Sequence, residues 1–216
     1  MEIHLLFIDY EKAFDNIERQ ILFNILKSRH IPDTLLKAIV DIYIKKILIK
    51  FNNKLSKSVE INKGVHQGCP LSPTLFNIYL DEIITKWQKQ DITGIKLSKN
   101  QQLRTLLFAD DQVIIADRKD NLQRAAHKLK QIIREYGLTI SVQKIKSMAF
   151  RGRDPVRTKI VIDNKIIEKL NSFNYLGNMI SYEKELDIDN KLHNYLKITG
   201  ILNNVLDHKN LLRKQE

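Results

Sequence analysis

Leu103-Arg104-Thr105-Leu106-Leu107-Phe108-Ala109-Asp110-Asp111-Gln112-Val113-Ile114-Ile115-Ala116 is the stretch that decides the fold of this chain. Two strand-like runs, Leu103–Phe108 and Val113–Ala116, stand on either side of an acidic tip. That pattern predicts a hairpin whose flanks, Leu106-Leu107-Phe108 and Val113-Ile114-Ile115, are apolar. Adjacent carboxylates beside a buried sheet repel each other and resist ionisation unless a cation compensates them. An Asp-Asp pair at a tip is equally ordinary turn chemistry, so the pair alone leaves both meanings open.

A third acid comes from the start of the chain. Ile3–Ile8 is a short apolar run that predicts a buried strand ending at Asp9. If that strand lies beside the hairpin, Asp9, Asp110 and Asp111 converge. Hard oxygen donors of this kind suit Mg²⁺, which keeps waters and substrate phosphates as its other ligands. Two such ions are the usual clamp for in-line displacement at phosphorus. Residues 64–73, Gly-Val-His-Gln-Gly-Cys-Pro-Leu-Ser-Pro, form a loop leading into a helix. Its glycines let backbone approach a ligand closely, and a helix N-terminus favours phosphate or base contacts.

Further out, helices and strands interleave. Asp15 and Glu18 have the spacing of a capping box, opening a helix with Ile17, Ile21, Leu22, Ile25 and Leu26 on its apolar face. Pro32 and Asp33 open a second, faced by Leu35, Leu36, Ile39, Val40 and Tyr43. Leu48–Phe51 and Lys57–Ile61 flank Asn52-Asn53 as a hairpin. Ser72 and Pro73 predict the N-cap and first residue of a helix carrying Phe76, Leu80, Ile83, Ile84 and Trp87. Leu122, Ala125, Ala126, Leu129, Ile132, Ile133 and Tyr136 mark another, stopped by Gly137. Strands follow at Ser147–Phe150, Lys159–Ile162 and Phe173–Leu176, then a helix over Leu186–Leu206. The order predicts an α+β fold, an antiparallel sheet with helices packed on one face. The Gly/Pro/Arg-rich stretch Arg151–Lys159 divides it into residues 1–155 and a smaller part, 156–216.

Composition narrows the class. Of 216 residues 43% are hydrophobic and 28% charged, which suits a globular core. The net charge of +11 points to a polyanionic partner. Arg118–Lys159 holds twelve Lys/Arg against three Asp/Glu, and Lys37–Lys63 seven against two, faces suited to phosphate contacts. Cys69 is the single cysteine, a small packing residue, so no internal disulfide forms. No run is apolar enough to cross a membrane, and Glu2, Asp9 and Glu11 break any signal-peptide pattern. The chain is therefore expected inside the cell, nuclear or cytoplasmic, with no membrane partner.

The combination resembles the palm of a reverse transcriptase of the non-LTR, LINE-type retrotransposon group. Residues 7–15, Phe-Ile-Asp-Tyr-Glu-Lys-Ala-Phe-Asp, match motif A. Residues 64–73, continuing into Leu75-Phe76-Asn77-Ile78-Tyr79-Leu80, match motif B, and Phe108-Ala109-Asp110-Asp111 matches motif C. Residues 137–144, Gly-Leu-Thr-Ile-Ser-Val-Gln-Lys, resemble motif D, and Phe173-Asn174-Tyr175-Leu176-Gly177 resembles motif E. All five stand in the family's order, and Gln67-Gly68-Cys69-Pro70 is closer to the LINE-type group than to group II intron enzymes, which tend to have glycine in place of Cys69.

The resemblance implies a polymerase palm followed by a small, mostly helical partial thumb. It implies RNA-directed addition of dNTPs to a DNA primer on an RNA template, by two-metal phosphoryl transfer. Asp9, Asp110 and Asp111 would be catalytic and, with the Tyr10 carbonyl, would hold two Mg²⁺ ions, with Mn²⁺ as the substitute. Phe14 would exclude a ribose 2′-hydroxyl, Gln67 would touch the incoming nucleotide, and Lys144 would approach the triphosphate and protonate the leaving pyrophosphate. Gly68, Pro70, Tyr175, Leu176 and Gly177 would contact template and primer in an RNA–DNA hybrid. Ser141 departs from the Asn usual in motif D. The family's fingers motifs precede motif A, which here begins almost at Met1. Two rivals remain: a truncated or domesticated remnant that only binds nucleic acid, and an unrelated basic RNA-binding domain. The three acids together weigh against both.

Overall fold

Every side chain from Leu5 to Ile8 is apolar because the strand that carries them has a core on each face. The computed structural model describes residues 2–44, 46–48, 50–152, 154–181, 188–189 and 191–199. Strand β1 (Glu2–Ile8) lies at the centre of the main sheet. The hairpin strands β2 (Thr105–Phe108) and β3 (Asp111–Ala116) lie on one side. Strands β4 (Lys146–Arg151) and β5 (Asp154–Pro155) lie on the other, giving the order β5-β4-β1-β3-β2. These neighbours are all antiparallel, and a short β6 (Glu168–Lys169) pairs parallel to β4.

The strand period of two divides β1 between the cores. Leu6 and Ile8 join Ile114 and Ala116 against the helices. Leu5 and Phe7 join Val113, Ile115 and Met148 on the opposite face. Helices α1 (Arg19–Ser28), α2 (Asp33–Tyr43), α3 (Ser72–Gln88) and α4 (Lys119–Glu135) build the first layer. Its centre is Phe76, Tyr79, Ile83 and Trp87, all fully enclosed, and the Trp87 indole donates to the Ala125 carbonyl at 2.9 Å. The second face is closed by a hairpin of β7 (Ser172–Tyr175) and β8 (Asn178–Ser181). Its Phe173 ring lies 4.3 Å from that of Phe7. The expected α+β sheet with helices on one face is what the chain forms.

Several local expectations are corrected. The Asp15–Glu18 capping box does not form: α1 starts at Arg19, with Glu18 as its N-cap and no side-chain cap. Residues 17 and 18 are held extended instead, because Gly64 N–H donates to the Ile17 carbonyl and Glu18 bridges to Lys63. Ser72 is the first residue of α3 and Leu71 its N-cap, the Ser72 hydroxyl being taken by the His66 carbonyl at 2.7 Å. The Asn52-Asn53 turn forms with both residues at positive φ. Its strands are shorter than expected, Lys50–Phe51 with Lys54–Leu55, followed by Lys46–Ile47 with Val59–Glu60. Leu35 is half exposed on α2.

The apolar Leu106-Leu107-Phe108 flank is exposed. β2 is the sheet's edge, neither face is covered, and Phe108 is 65% exposed. Lys159–Ile162 contributes only Val161–Ile162, paired with Lys165–Ile166. Residues 188–189 and 191–199 are helical, and the remainder of the expected helix over 186–206 lies outside the described residues.

Gly64 combines a left-handed backbone with a close backbone approach. It has φ +77°, and a Cβ there would sit 2.9 Å from the Asp15 carbonyl oxygen. Both the left-handed backbone and the contact penalise a side chain. Gly64→Ala is expected to destabilise the fold by about 1–3 kcal/mol, read as a lower denaturation midpoint in urea. An unchanged midpoint would show that the 15–64 contact opens freely.

Candidate active site

The site grows from one register pair. The β1–β3 ladder ends at Ile8 opposite Gln112, so Asp9 and Asp111 leave adjacent strands at the same end. The Phe108–Asp111 pair closes the β2–β3 hairpin over a two-residue turn, with Ala109 at φ +51° and Asp110 beside it. An alanine in the left-handed region is strained, which marks a turn set by its surroundings rather than by local preference. The three predicted acids are thus brought to one end of the sheet. Asp9 and Asp110 are half-buried and Asp111 is exposed.

Their electrostatics carry the mark of that proximity. Burial, reinforced by the charges of Asp110 and Asp9, pushes the Asp111 carboxyl above the usual aspartate range. Asp9 Oδ1 is itself enclosed and has no hydrogen-bond partner. Lys144 Nζ stands 3.7 Å from it, an ion-pair distance rather than a hydrogen bond. Among the described residues no three His, Cys, Asp or Glu side chains group closely enough to make up a metal site as they stand.

Backbone contacts fix the neighbouring loops. Ser141 N–H donates to the Asp9 carbonyl at 2.8 Å, and Glu11 N–H to the Thr139 carbonyl at 3.0 Å. The segment bearing Lys144 is therefore tied to the strand end bearing Asp9. Tyr10 is buried, its phenol donates to Gln112 Oε1 at 2.6 Å, and burial pushes its pKa well up.

Phe14 stacks on Phe76 with centroids 4.3 Å apart and planes at 16°. Val65 N–H donates to the Phe14 carbonyl at 2.9 Å, so Phe14 meets the 64–73 loop. In that loop Gln67, Gly68 and Pro70 are exposed, and Gln67 Nε2 reaches Asp15 Oδ1 at 3.4 Å. Leu176 and Gly177, both at positive φ, turn the β7–β8 hairpin. Tyr175 approaches the acids: its phenol donates to the Asp111 carbonyl at 3.1 Å, and its pKa rises through burial and the Asp111 charge.

Two residues that sequence reasoning passed over hold these parts together. Arg19 is 6% exposed. It donates to the Gly64 carbonyl at 2.7 Å and the Tyr43 carbonyl at 2.5 Å, and also to that of Ile61. Gln112, fully buried, links Tyr10 to Thr105, whose Oγ1 it reaches at 3.1 Å. The sequence signal in both cases is a polar residue where the apolar period asks for a buried one.

A family model described as reverse transcriptase (RNA-dependent DNA polymerase) matches residues 1–180. The chain is 29% identical over 182 residues to the retrovirus-related Pol polyprotein from type-1 retrotransposable element R2 of Popillia japonica, covering 79% of this chain and 29% of that protein. The corresponding R2 protein of Nasonia vitripennis is 26% identical over 148 residues, 68% of this chain and 14% of its own length. Among solved structures, apo telomerase from Candida tropicalis, truncated from its C-terminal domain, superposes with a TM-score of 0.61 at 16% identity. That superposition covers 83% of this chain and 34% of the telomerase, and shows a shared fold. The chain thus spans less than a third of the length of these curated relatives.

The crowded acids carry a cost in stability with a definite pH dependence. Asp111 binds its proton more tightly folded than unfolded. Between the ordinary aspartate pKa and the raised one, the folded state holds more protons, so stability falls as pH rises through that window. Asp111→Asn removes this loss. The variant should melt higher than the parent at pH 7, by less than about 1 kcal/mol because solvent screens an exposed carboxylate. The difference should vanish below the aspartate range, and thermal melts at both pH values decide it. A variant less stable at pH 7 would mean that the acids do not strain the fold.

Proposed function

The chain belongs to the reverse transcriptase (RNA-dependent DNA polymerase) family, and from that premise we propose that it is the palm of a non-LTR retrotransposon polymerase extending a DNA primer on an RNA template. The observation that carries this reading is the Ile8–Gln112 register, which sets Asp9 beside the Asp110-Asp111 turn. Residues 1–155 are assigned to the palm, and 156–216 to its end, a primer-holding hairpin and the start of a thumb. Such a substrate implies action inside the cell, in nucleus or cytoplasm. Among the described residues no helix is long and apolar enough to cross a membrane.

The donor set fits a divalent cation. Asp9 presents an enclosed oxygen without a hydrogen-bond partner, and Asp111 is held high by burial and by the neighbouring acids, so a cation would relieve both. Asp9, Asp110, Asp111 and the Tyr10 carbonyl would hold two Mg²⁺ ions, or Mn²⁺. Bound there, the ions would supply the charge stabilisation needed for attack of a primer 3′-hydroxyl on the α-phosphate of a dNTP.

The chain's own residues supply position and protons. Lys144, tied through Ser141 to Asp9, can donate to the triphosphate and hand a proton to the leaving pyrophosphate. Phe14 excludes a 2′-hydroxyl, supported by the Phe76 stack that denies its ring room to swing aside. Gln67 reaches the incoming nucleotide, and Gly68 and Pro70 border the template. Tyr175, Leu176 and Gly177 hold the primer end, a role supported by the phenol bond to Asp111. Exposed lysines and arginines contact phosphates, although Lys63, Lys86, Lys130, Lys146 and Arg151 also pair with acids within the chain.

Two substitutions test the assignment in an extension-competent polymerase containing these residues. Asp110→Asn should lower primer extension at least 10²–10³-fold, roughly the scale for losing one preorganised charge interaction, while circular dichroism stays parental. Near-normal extension would remove Asp110 from the site. Phe14→Ala should raise ribonucleotide incorporation relative to deoxynucleotide, measured by direct competition. An unchanged ratio would leave Phe14 a packing residue.

A further inference from the structure

Asp9 is bracketed. On its N-terminal side Ile8 is paired, backbone to backbone, with Gln112. On its C-terminal side Tyr10 sends its phenol back to the side chain of that same Gln112, 2.6 Å away. Gln112 is the residue next to Asp111, so one glutamine holds both neighbours of Asp9 and is itself bonded covalently to Asp111. The chain of bonds continues inward: Gln112 Nε2 donates to Thr105 Oγ1 at 3.1 Å, and Thr105 Oγ1 donates to the Val113 carbonyl at 2.9 Å. Thr105 lies on β2, the other arm of the acidic hairpin.

The placement matters because the sheet ladder gives out here. Beyond Ile8–Gln112 no β1–β3 backbone pair remains to fix Asp9 against Asp111. Tyr10 has already left the strand and bridges to Ile140. The Tyr10–Gln112 bond is therefore the last direct tie between the two acid-bearing segments. Gln112 is 0% exposed and Tyr10 5%. Apolar residues of similar shape would fill this space without polar atoms to satisfy, and replacing both partners of a buried hydrogen bond is often neutral for stability. Stability alone does not require this pair.

We propose that the Tyr10 phenol and the Gln112 side chain are positioning groups, a buried clamp that sets the spacing of Asp9 and Asp111 for a divalent cation; this rests on the carboxylate reading given above. Groups that orient metal-binding side chains commonly influence metal affinity without touching the ion. Because the clamp bonds to neither carboxylate, its loss should leave the acids ionisable and the fold intact, but their mutual geometry loose.

The test is Mn²⁺ binding by the 216-residue chain, followed by electron paramagnetic resonance of free Mn²⁺, with melting temperature recorded alongside. The double variant Tyr10→Phe/Gln112→Leu should melt like the parent and bind Mn²⁺ about 10-fold more weakly. Tyr10→Phe alone strands the Gln112 acceptor, so it should weaken binding and also lower the melting temperature. Asp9→Asn serves as the reference. If Asp9→Asn weakens Mn²⁺ binding while the double variant binds within twofold of the parent, the clamp is only structural and the proposal fails. If Asp9→Asn binds as the parent does, the carboxylate reading fails and takes the proposal with it. If the double variant loses stability and affinity together, the pair is part of the core and the positioning role is overturned.

Discussion

The burial of β1 on both faces is the constraint from which the rest follows. A strand with one apolar face can slip by two residues and lose little, but β1 has Leu6 and Ile8 in one core and Leu5 and Phe7 in the other. A slip by one residue would exchange the two sets, and a slip by two would leave one end of each core unfilled. Both neighbouring strands are registered against it as well. The apolar cores, remote from any chemistry, thus decide that Asp9 emerges beside Gln112 and Asp111.

A second constraint joins the helical layer to that strand end. Past Asp9 the chain turns at Lys12, which has positive φ, and the following residues pair with the loop at Gly64 and Val65. A guanidinium removed from water is unfavourable unless its donors are met. Arg19 meets them with carbonyls from α2, from the 61–64 segment and from the loop itself, while stacking over the Tyr43 ring at 5.4 Å. A lysine carries the same charge but lacks the planar fork that reaches three fixed carbonyls. Phe14 and Gln67 are therefore positioned by a knot of main-chain contacts, with a buried cation at its centre.

Much of this was legible in the sequence because it rests on periodicity. Ile3–Ile8, the α3 face and the α4 face repeat with the period of the element they form, and the structure keeps each. The turn at Asn52-Asn53 was legible because asparagine tolerates left-handed backbone. What failed was local reading overruled by distant partners. Asp15 and Glu18 have the right spacing for a cap, yet the Gly64 and Lys63 contacts pull residues 17 and 18 straight. Leu106-Leu107-Phe108 has the composition of a buried strand, but composition does not tell an edge from a centre. The family motifs picked out the acids. They did not show Arg19, whose carbonyl partners lie 24–45 residues away, or Gln112, which meets Tyr10 across 102 residues.

The exposed edge and the crowded acids are two sides of one compromise. Charge repulsion grows steeply as the effective dielectric falls, by about fivefold between a surface and a dry interior. If β2 were covered by a further layer, Phe108 and Leu106 would gain burial, but the turn between Phe108 and Asp111 would lose water. Asp111 would then be pushed further towards its neutral form, which binds cations poorly. Leaving the edge bare keeps Asp111 in contact with solvent, so its carboxyl is raised but still able to ionise. The apolar exposure of β2 is the structural counterpart of keeping the Asp111 carboxyl within reach of water at the end of the sheet.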